Sequence, residues 1–146
     1  MKIPFFSVKE LVCKHVYERY GENAAMFLDD KLIETLNVIR EQILCAPMTV
    51  NNWHAGGNFT QRGLRCNICE LVKSKTDAGS LYLSAHMLGK AVDCNVEGMT
   101  AEKARRLIIE KQELLPHPIR LEDGVSWLHI DVYNNGKGEK VYLFKA

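Results

Sequence analysis

Residues 84–96, SAHMLGKAVDCNV, contain the pattern from which the fold and the candidate site follow. The second half of this stretch, Ala91 to Val96, is mostly apolar and predicts a buried strand. His86 and Asp93 lie on either side of Gly89. A continuous strand would separate the two polar side chains by roughly 23 Å, and a helix by about 10 Å. The side chains therefore meet only if the chain reverses, and Gly89 permits a reversal with little strain.

A second pattern, WLHIDV, covers Trp127 to Val132 and predicts another strand. Alternation puts three apolar residues on a core face: Leu128, Ile130 and Val132. The opposite face holds an aromatic ring, an imidazole and a carboxylate about 6–7 Å apart: Trp127, His129 and Asp131. Two histidines and one aspartate from separate segments match the three-ligand set of a catalytic zinc ion. The alternative for His86 and Asp93 is an ordinary surface loop whose side chains bond to nearby backbone.

The composition narrows the classes of function. A length of 146 residues fits a single domain over 1–146, with N-terminal helices over 1–46 and a motif-bearing core over 47–146. Apolar residues make up 47% and charged residues 25% of the chain, which is typical of globular proteins. The net charge of +1 provides no broad field for nucleic acid, and no apolar run is long enough to span a bilayer. We expect a monomer with no nucleic-acid partner and no membrane insertion.

The N-terminal stretch MKIPFFSVKELVCKHVYERYG has a short apolar patch that Glu10, Lys14 and His15 interrupt. No small-residue cleavage site follows this patch, so we expect no signal peptide. The pattern thus predicts a cytoplasmic location in the cell that makes the protein. Cysteines in such a reducing compartment are expected to be free thiols.

Cys66 and Cys69 form a CxxC pair among the five cysteines of the chain. A structural zinc site needs a second ligand pair, and the sequence shows none of similar spacing. If the surrounding segment RCNICELVK is helical, both cysteines lie on one face, where small apolar residues commonly pack. We therefore interpret the pair as packing residues, and no role is predicted for His15.

Helical patterns dominate the first half of the chain. Ser7 is a suitable N-cap for a helix that runs to about Tyr20 and ends at Gly21. A second helix is predicted from Asp29 or Asp30 to Ala46-Pro47. The next predicted elements, in chain order, are a strand over 48–53, a helix over 60–75, a strand over 91–96 and a helix capped by Thr100.

Three strand-like segments complete the sequence: IRLEDG, VSWLHIDVY and KVYLFKA. Turn signals separate them at Asp123-Gly124 and at Asn134-Asn135-Gly136. Helices followed by antiparallel strands predict an α+β fold.

SAHMLGKAVD matches the pattern S-x-H-x-x-G-x-A-x-D, and the later W-x-H accompanies it. With these motifs the chain resembles the zinc peptidase superfamily of D-Ala-D-Ala carboxypeptidases, L-alanyl-D-glutamate endopeptidases and hedgehog domains. The segment MTVNNW…GG…RGLR also resembles the smaller, partly phage-encoded members. The resemblance covers about Met48 to Val132. It implies a central antiparallel sheet with flanking helices, and one zinc ion per chain held by His86, Asp93 and His129.

The sequence departs from the family pattern at the catalytic base. Many carboxypeptidase members have a glutamate three residues before the last histidine, where this chain has Ser126. Asp123 stands at the hedgehog-like spacing, with Glu122 beside it, and Asp131 matches the H-x-D of the smaller branch. Because Asp131 shares its strand face with His129, it is the preferred base, and the family spacing keeps Asp123 as the alternative. Asp131 is also interpreted as a partner of a histidine, or as neither.

Arginine is expected to bind a substrate carboxylate or a developing oxyanion. The arginine that usually follows the first strand is displaced, and Arg62 and Arg65 are the nearby substitutes. Three further residues are candidates for contacting substrate: Ser84, His54 and Trp127.

The resemblance implies a zinc-dependent peptidase that cuts peptidoglycan stem peptides. Three settings fit a chain without a signal peptide: a phage endolysin, a virion-associated lysin that acts on the wall after release, and a cytosolic D,D-dipeptidase. The alternative is a zinc-containing structural or binding module of a phage particle that has lost catalysis. The serine at position 126 supports that alternative.

Overall fold

The computed structural model describes residues 3–133, 136 and 138–146. Its helices are α1 (Val8–Leu11), α2 (Lys14–Tyr20), α3 (Asp30–Val38), α4 (Glu70–Asp77) and α5 (Ala101–Glu110). Its strands are β1 (Met48–Thr49), β2 (Ala91–Val96), β3 (Ile119–Glu122), β4 (Leu128–Asp131) and β5 (Val141–Phe144). Short 3₁₀ helices cover Gly21–Phe27, Trp53–Ala55 and Gln112–Leu114, and a π-helical turn, Ile39–Ile43, continues α3.

The five strands form one sheet in the order β1-β2-β4-β3-β5. Neighbouring strands are antiparallel except for β3 and β5, which are parallel. The α+β prediction is confirmed, but the prediction of an antiparallel sheet is wrong at this edge. Because β4 already lies between β2 and β3, the chain that follows β4 cannot pair with it, and it pairs here with the outer edge of β3. A reversed strand in that position runs parallel to β3.

One apolar cluster joins the N-terminal helices to the sheet. It contains Leu11 of α1, Leu32 and Leu36 of α3, and Leu128 and Ile130 of β4, each fully buried. Helix α5 packs on β2 and β4 through the same cluster. The predicted core face of β4 is therefore confirmed. Its other face is left for polar side chains.

The predicted helix from Ser7 to Tyr20 is interrupted. Ser7 caps α1 as expected, in a reciprocal capping box with Glu10, and Gly21 ends α2 with a positive φ of 58°. Between the two helices, Val12 is extended and bridges to Leu64. The carbonyl oxygen of Val12 accepts hydrogen bonds from the side chains of Asn51 and Trp53. These long-range bonds replace the helical bonds that the local pattern predicts.

The helix predicted over 60–75 begins ten residues late, because α4 starts at Glu70. Residues 62–65 instead form backbone hydrogen bonds with segments that are distant in the chain. The Leu64 amide donates to the Leu11 carbonyl, and the Arg65 amide donates to the His86 carbonyl. The strand predicted over 48–53 is likewise limited to Met48–Thr49.

The remaining predicted elements are present, but α3 with its π-helical turn ends at Ile43, before Ala46-Pro47, and VSWLHIDVY contains a strand only over Leu128–Asp131. Thr100 accepts a hydrogen bond from Lys103 as N-cap of α5, and Asp29 caps α3. The strand predicted over 91–96 is β2. Of the predicted turn at Asn134-Asn135-Gly136, both asparagines lie outside the described residues. Among the residues that the structure describes, no helix combines the length and the apolar character needed to cross a bilayer.

Candidate metal centre

The register of β2 and β4 places Asp93 directly opposite His129. Their side chains project from the same face of the sheet, and Nδ1 of His129 lies 2.8 Å from Oδ1 of Asp93. Both residues are buried, at 8% and 6% exposure. The antiparallel pairing therefore brings together two of the three ligands that the sequence motifs indicate.

His86 joins this pair from the turn that precedes β2. Its Nε2 lies 3.3 Å from Oδ2 of Asp93. Its Nδ1–H donates a hydrogen bond of 2.9 Å to the carbonyl oxygen of Gly63. This bond fixes the ring so that Nε2, the nitrogen available to a metal, faces the carboxylate.

Gly89 makes the reversal between His86 and Asp93, as the sequence predicts. Its φ is +67°, in the left-handed region that favours glycine. An added Cβ would overlap the carbonyl oxygen of Phe27, because the backbones approach closely here. The Gly89 carbonyl accepts from the Asp29 amide at 2.9 Å, and the Lys90 ammonium contacts Asp29 at 2.6 Å. The turn is therefore held against the start of α3.

The ligand atoms of His86, Asp93 and His129 all lie within 4.8 Å of one another. A tetrahedral zinc ion places nitrogen and oxygen donors about 3.4 Å apart. The 3.3 Å between His86 and Asp93 matches that spacing, and the 2.8 Å between His129 and Asp93 is a hydrogen-bonded separation. The donor set is therefore compatible with a bound metal ion, whose binding would move His129 and Asp93 slightly apart, and three protein ligands leave a fourth position open.

Asp131 stands behind His129, on the side away from Asp93. Its Oδ2 accepts from Nε2–H of His129 at 2.7 Å, and Arg120 donates to both carboxylate oxygens at 2.9 Å. Asp131 is 0% exposed. A carboxylate engaged in this way orients the imidazole. Of the three interpretations of Asp131, the geometry favours the partner of a histidine and speaks against the base.

Ion pairing dominates the electrostatics of the cluster. Burial alone would raise the pKa of the Asp93 carboxyl, but hydrogen bonds from His129 and His86 hold that pKa well below its usual range. Burial alone would lower the pKa of His129, whereas hydrogen bonds to Asp131 and Asp93 raise it to about 9. In the metal-free protein His129 is thus a cation between two carboxylates. A metal ion would take the place of its Nδ1 proton.

A cleft of about 540 Å³ opens on the Asp93 side of the cluster, and Trp127 and Ser126 form part of its lining. Two arginines also line it. Arg65 lies 3.4 Å from Oδ2 of Asp93 through Nη2, and its Nε donates to the Gln61 carbonyl. Its guanidinium therefore touches a ligand oxygen.

Arg62 is placed differently in the same cleft. Its Nη2 donates to Asn95 at 2.9 Å, and its guanidinium lies over the ring of Phe59. Its Nη1 is buried and has no hydrogen-bond partner among the described residues. Burial lowers the pKa of this guanidinium. The Nη1 nitrogen is inaccessible from the cleft, so only the rest of the Arg62 guanidinium is available to an incoming anion such as a carboxylate.

Three other predicted residues do not reach the cleft lining. Asp123 accepts a hydrogen bond from the Gly124 amide in the turn after β3. His54 is exposed and lies against Trp53. Ser84 accepts from the Met87 amide and so caps the turn that carries His86, which is a structural role.

Glu122 is placed closer to the cluster than Asp123. Arg120 and Asp131 are partners in the β3–β4 register. Two residues further along β3, Glu122 shares the face of Arg120, and continuing the register sets it opposite His129. The alternation of side chains along β3 does not predict this placement by itself, because it also requires the register between β3 and β4.

Sequence reasoning missed several residues of the site. Arg120, which holds Asp131, and Gly63, which orients His86, carry no local signal because both act through partners distant in the chain. A second group of potential metal ligands was missed as well. Cys13 and His15 lie beside Cys66 and Cys69, so the tertiary fold supplies a ligand pair that the sequence does not show at similar spacing. The two cysteines also precede α4 and are not on its face.

Comparisons of the chain with protein-family models, with curated proteins and with solved structures find no match.

Proposed function

We propose that this protein is a zinc-dependent peptidase that acts on peptidoglycan stem peptides, with the fold of the D,D-peptidase and hedgehog superfamily. The observation that carries the proposal is the convergence of His86, Asp93 and His129 beside an open cleft. Both histidines have their second ring nitrogen engaged, by Gly63 and by Asp131. Three protein ligands with a free fourth position are typical of catalytic zinc, whereas structural zinc is usually closed by four.

The chemistry that zinc supplies in such a site is activation of water and polarisation of a carbonyl. The residues of the chain supply the rest. Asp131 and Gly63 hold the two imidazoles in the tautomers that binding requires. Arg62, which lines the cleft, would bind the substrate carboxylate, and Arg65 would steady Asp93 and the developing oxyanion.

The general base is proposed to be an acid other than Asp131. Glu122 is favoured because it shares the His129 face of the sheet, and Asp123 is retained because of its family spacing. The base takes a proton from the attacking water and returns it to the leaving amine. The proposal of cell-wall peptides as substrate comes from the resemblance in the motifs. The proposed role as a phage endolysin or virion-associated lysin, released from the cytoplasm of the producing cell, has the same basis.

The test is loss of turbidity of purified cell walls, with mass spectrometry of the soluble fragments to identify the bond that is cut. We expect new amino termini within the stem peptide, and no such products from His86→Ala. The variant Lys103→Ala, on the exposed side of α5, is the matched control and should cleave normally. Intact walls and intact synthetic stem peptides with fully zinc-loaded protein would overturn the proposal.

A second candidate function is a zinc-containing structural or binding module of a phage particle. The observation that favours it is the cleft lining, in which Asp93 is the sole carboxylate among the described residues and Ser126 occupies the usual place of the base. The same wall assay separates the two functions. Binding to walls without any cleavage would favour the second.

A further inference from the structure

Four potential metal ligands from two distant segments converge outside the candidate centre. Cys13 and His15 lie at the start of α2, and Cys66 and Cys69 lie in the loop that leads into α4. Each offers one ligand atom, and these atoms all lie within 4.8 Å of one another. The two segments are about fifty residues apart in the chain, 51 between His15 and Cys66, so the cluster is a product of the tertiary fold.

The three distances among His15, Cys66 and Cys69 are those of a tetrahedral zinc site. Nδ1 of His15 lies 3.4 Å from the sulfur of Cys66 and 3.7 Å from that of Cys69. The two CxxC sulfurs are 3.8 Å apart. Around a tetrahedral zinc ion, two sulfurs lie about 3.8 Å apart and a nitrogen and a sulfur about 3.6 Å apart. A disulfide would need about 2.05 Å, and all the cysteines are free thiols here.

We propose that Cys13, His15, Cys66 and Cys69 bind a second zinc ion in a closed, structural site. Three thiolates and one imidazole complete a tetrahedron and leave no position for water, which is the arrangement of structural zinc. Cys13 and Cys69 are buried at 1% exposure each, whereas His15 is exposed. The ion would lie at the rim of the domain, with His15 and the half-buried Cys66 on its solvent side.

The position of this cluster explains what a second ion would do. Only three residues lie between Arg62 and Cys66, and this short segment supports the candidate centre. The carbonyl of Arg62 accepts from the Asp93 amide, that of Gly63 accepts from His86, and the Arg65 amide donates to the His86 carbonyl. Zinc would tie this segment to the break between α1 and α2, where Val12 bridges to Leu64. The second ion would therefore stabilise the backbone that orients His86.

Two simpler interpretations compete with a metal site. Cys13 and Cys69 pack with Val72 in a small apolar cluster, so packing alone accounts for their burial. Packing does not explain why an imidazole nitrogen points at two sulfurs. A redox pair of Cys66 and Cys69 would leave Cys13 and His15 without a function. Both interpretations predict no second zinc ion, whereas the four-ligand site predicts one.

The experiment measures zinc in the full-length protein, purified under reducing conditions, by elemental analysis. We expect about two zinc ions per chain in the wild type, about one in Cys66→Ser/Cys69→Ser, and about one in His86→Ala. Cys45→Ser is the matched control, because Cys45 is exposed and belongs to neither group; it should keep both ions. An unchanged zinc content in the double cysteine variant would overturn the proposal.

A measurement on the wild type covers the case in which the double variant fails to fold. A thiol-specific mercurial should release one equivalent of zinc to a chromogenic chelator, and the ion retained should be absent from His86→Ala. Cobalt-loaded wild type should show sulfur-to-cobalt charge-transfer absorption, which a site of histidine and aspartate alone cannot produce. Absence of this band, or an intact mass lower by two hydrogens that indicates a disulfide, overturns the proposal. Neither readout depends on peptidase activity, so the two proposals fail independently.

Discussion

Asp93 and His129 are direct partners across β2 and β4, and their side chains meet at 2.8 Å although they are 36 residues apart in the chain. The pairing of two antiparallel strands thus builds most of the candidate centre. The third ligand, His86, is added by the Gly89 turn that enters β2. A rigid sheet holds two of the three ligands, and a site held in this way is preorganised for a metal ion.

The first prediction concerns the ligands of the candidate centre. His86→Ala, Asp93→Ala and His129→Ala should each lose one zinc equivalent, because each removes one of three protein ligands. Elemental analysis after dialysis against a weak chelator measures the loss. His54→Ala, which alters an exposed histidine, is the control and should retain the ion. Full zinc retention in two of the three ligand variants would contradict the assignment.

The second prediction separates an orienting role of Asp131 from a catalytic one. Asp131→Asn should weaken zinc affinity about 10- to 100-fold, because the amide cannot hold the His129 imidazole and Arg120 as the carboxylate does. Competition with a chromogenic chelator measures the affinity. Asp77→Asn, which removes an exposed carboxylate of α4, should not change it. Turnover of Asp131→Asn at matched zinc occupancy should stay within about tenfold of wild type, whereas loss of a base costs about 10²-fold or more.

The third prediction identifies the base. Glu122→Gln should reduce turnover by about 10²-fold or more with full zinc occupancy, because Glu122 shares the sheet face of His129. Asp123→Asn should have a small effect, because Asp123 is bonded in the turn to the Gly124 amide. Cleavage of a stem peptide is measured for both variants after zinc loading. The reverse result, with Asp123 essential and Glu122 dispensable, would show that the family spacing is the better guide.

The fourth prediction tests the Gly89 turn. Gly89→Ala combines a positive φ with overlap between the new Cβ and the Phe27 carbonyl, so we expect a loss of about 3 kcal/mol or more in the free energy of unfolding. Gly98→Ala is the matched control, because its φ is +77° but nothing lies within 4 Å of an added Cβ. The control should lose only about 1–2 kcal/mol. Urea denaturation of metal-loaded protein measures both, and equal losses would show that the close approach to Phe27 is unimportant.

The fifth prediction is a pH dependence of stability from Asp29. Burial alone would raise the pKa of this carboxyl, but the hydrogen bond from Lys90 and the bond from the Lys31 amide lower it. Because the pKa is lower in the folded protein, the Asp29 carboxylate stabilises the fold at pH values above its unfolded pKa of about 3.9. This contribution is lost as the pH falls through the lower pKa of the folded state. Asp29→Asn should therefore be less stable than wild type at neutral pH, and the difference should shrink below about pH 4. Denaturant unfolding at several pH values measures it; a difference that persists at low pH would contradict the ion-pair explanation.

Much of the candidate centre could be predicted from the sequence. The spacing of His86, Gly89 and Asp93 requires a reversal, and the alternation in WLHIDV separates a core face from a polar face. The structure brings the three predicted ligands together by this reversal and this alternation. The caps at Ser7 and Thr100, and the start of a helix at Asp29 or Asp30, were predicted for the same reason. All of these features depend on residues within one turn or strand, where sequence spacing and spatial spacing are directly related.

The direction in which the Asp131 carboxylate points could not be predicted from the sequence. The strand pattern places it on the face of His129, but whether it points to the water side or to the far nitrogen depends on Arg120 from β3. The parallel pairing of β5 with β3 could not be predicted either, because it depends on β4 already pairing with β2 and β3. Both outcomes depend on which strands pair, and local propensity does not determine pairing.

The sequence by itself determined the periodic elements, their caps and the motif residues that converge on one face of the sheet. Only the tertiary structure decided that Val12 is extended and that Cys13 and His15 meet Cys66 and Cys69. The local pattern favours a helix through Val12, but hydrogen bonds from Leu64, Asn51 and Trp53 stabilise the break. Helix propensity amounts to tenths of a kcal/mol per residue, whereas satisfying a buried backbone group is worth about 1–3 kcal/mol. These long-range hydrogen bonds therefore outweigh the local preference for a helix. The resulting break also brings Cys13 and His15 next to Cys66 and Cys69.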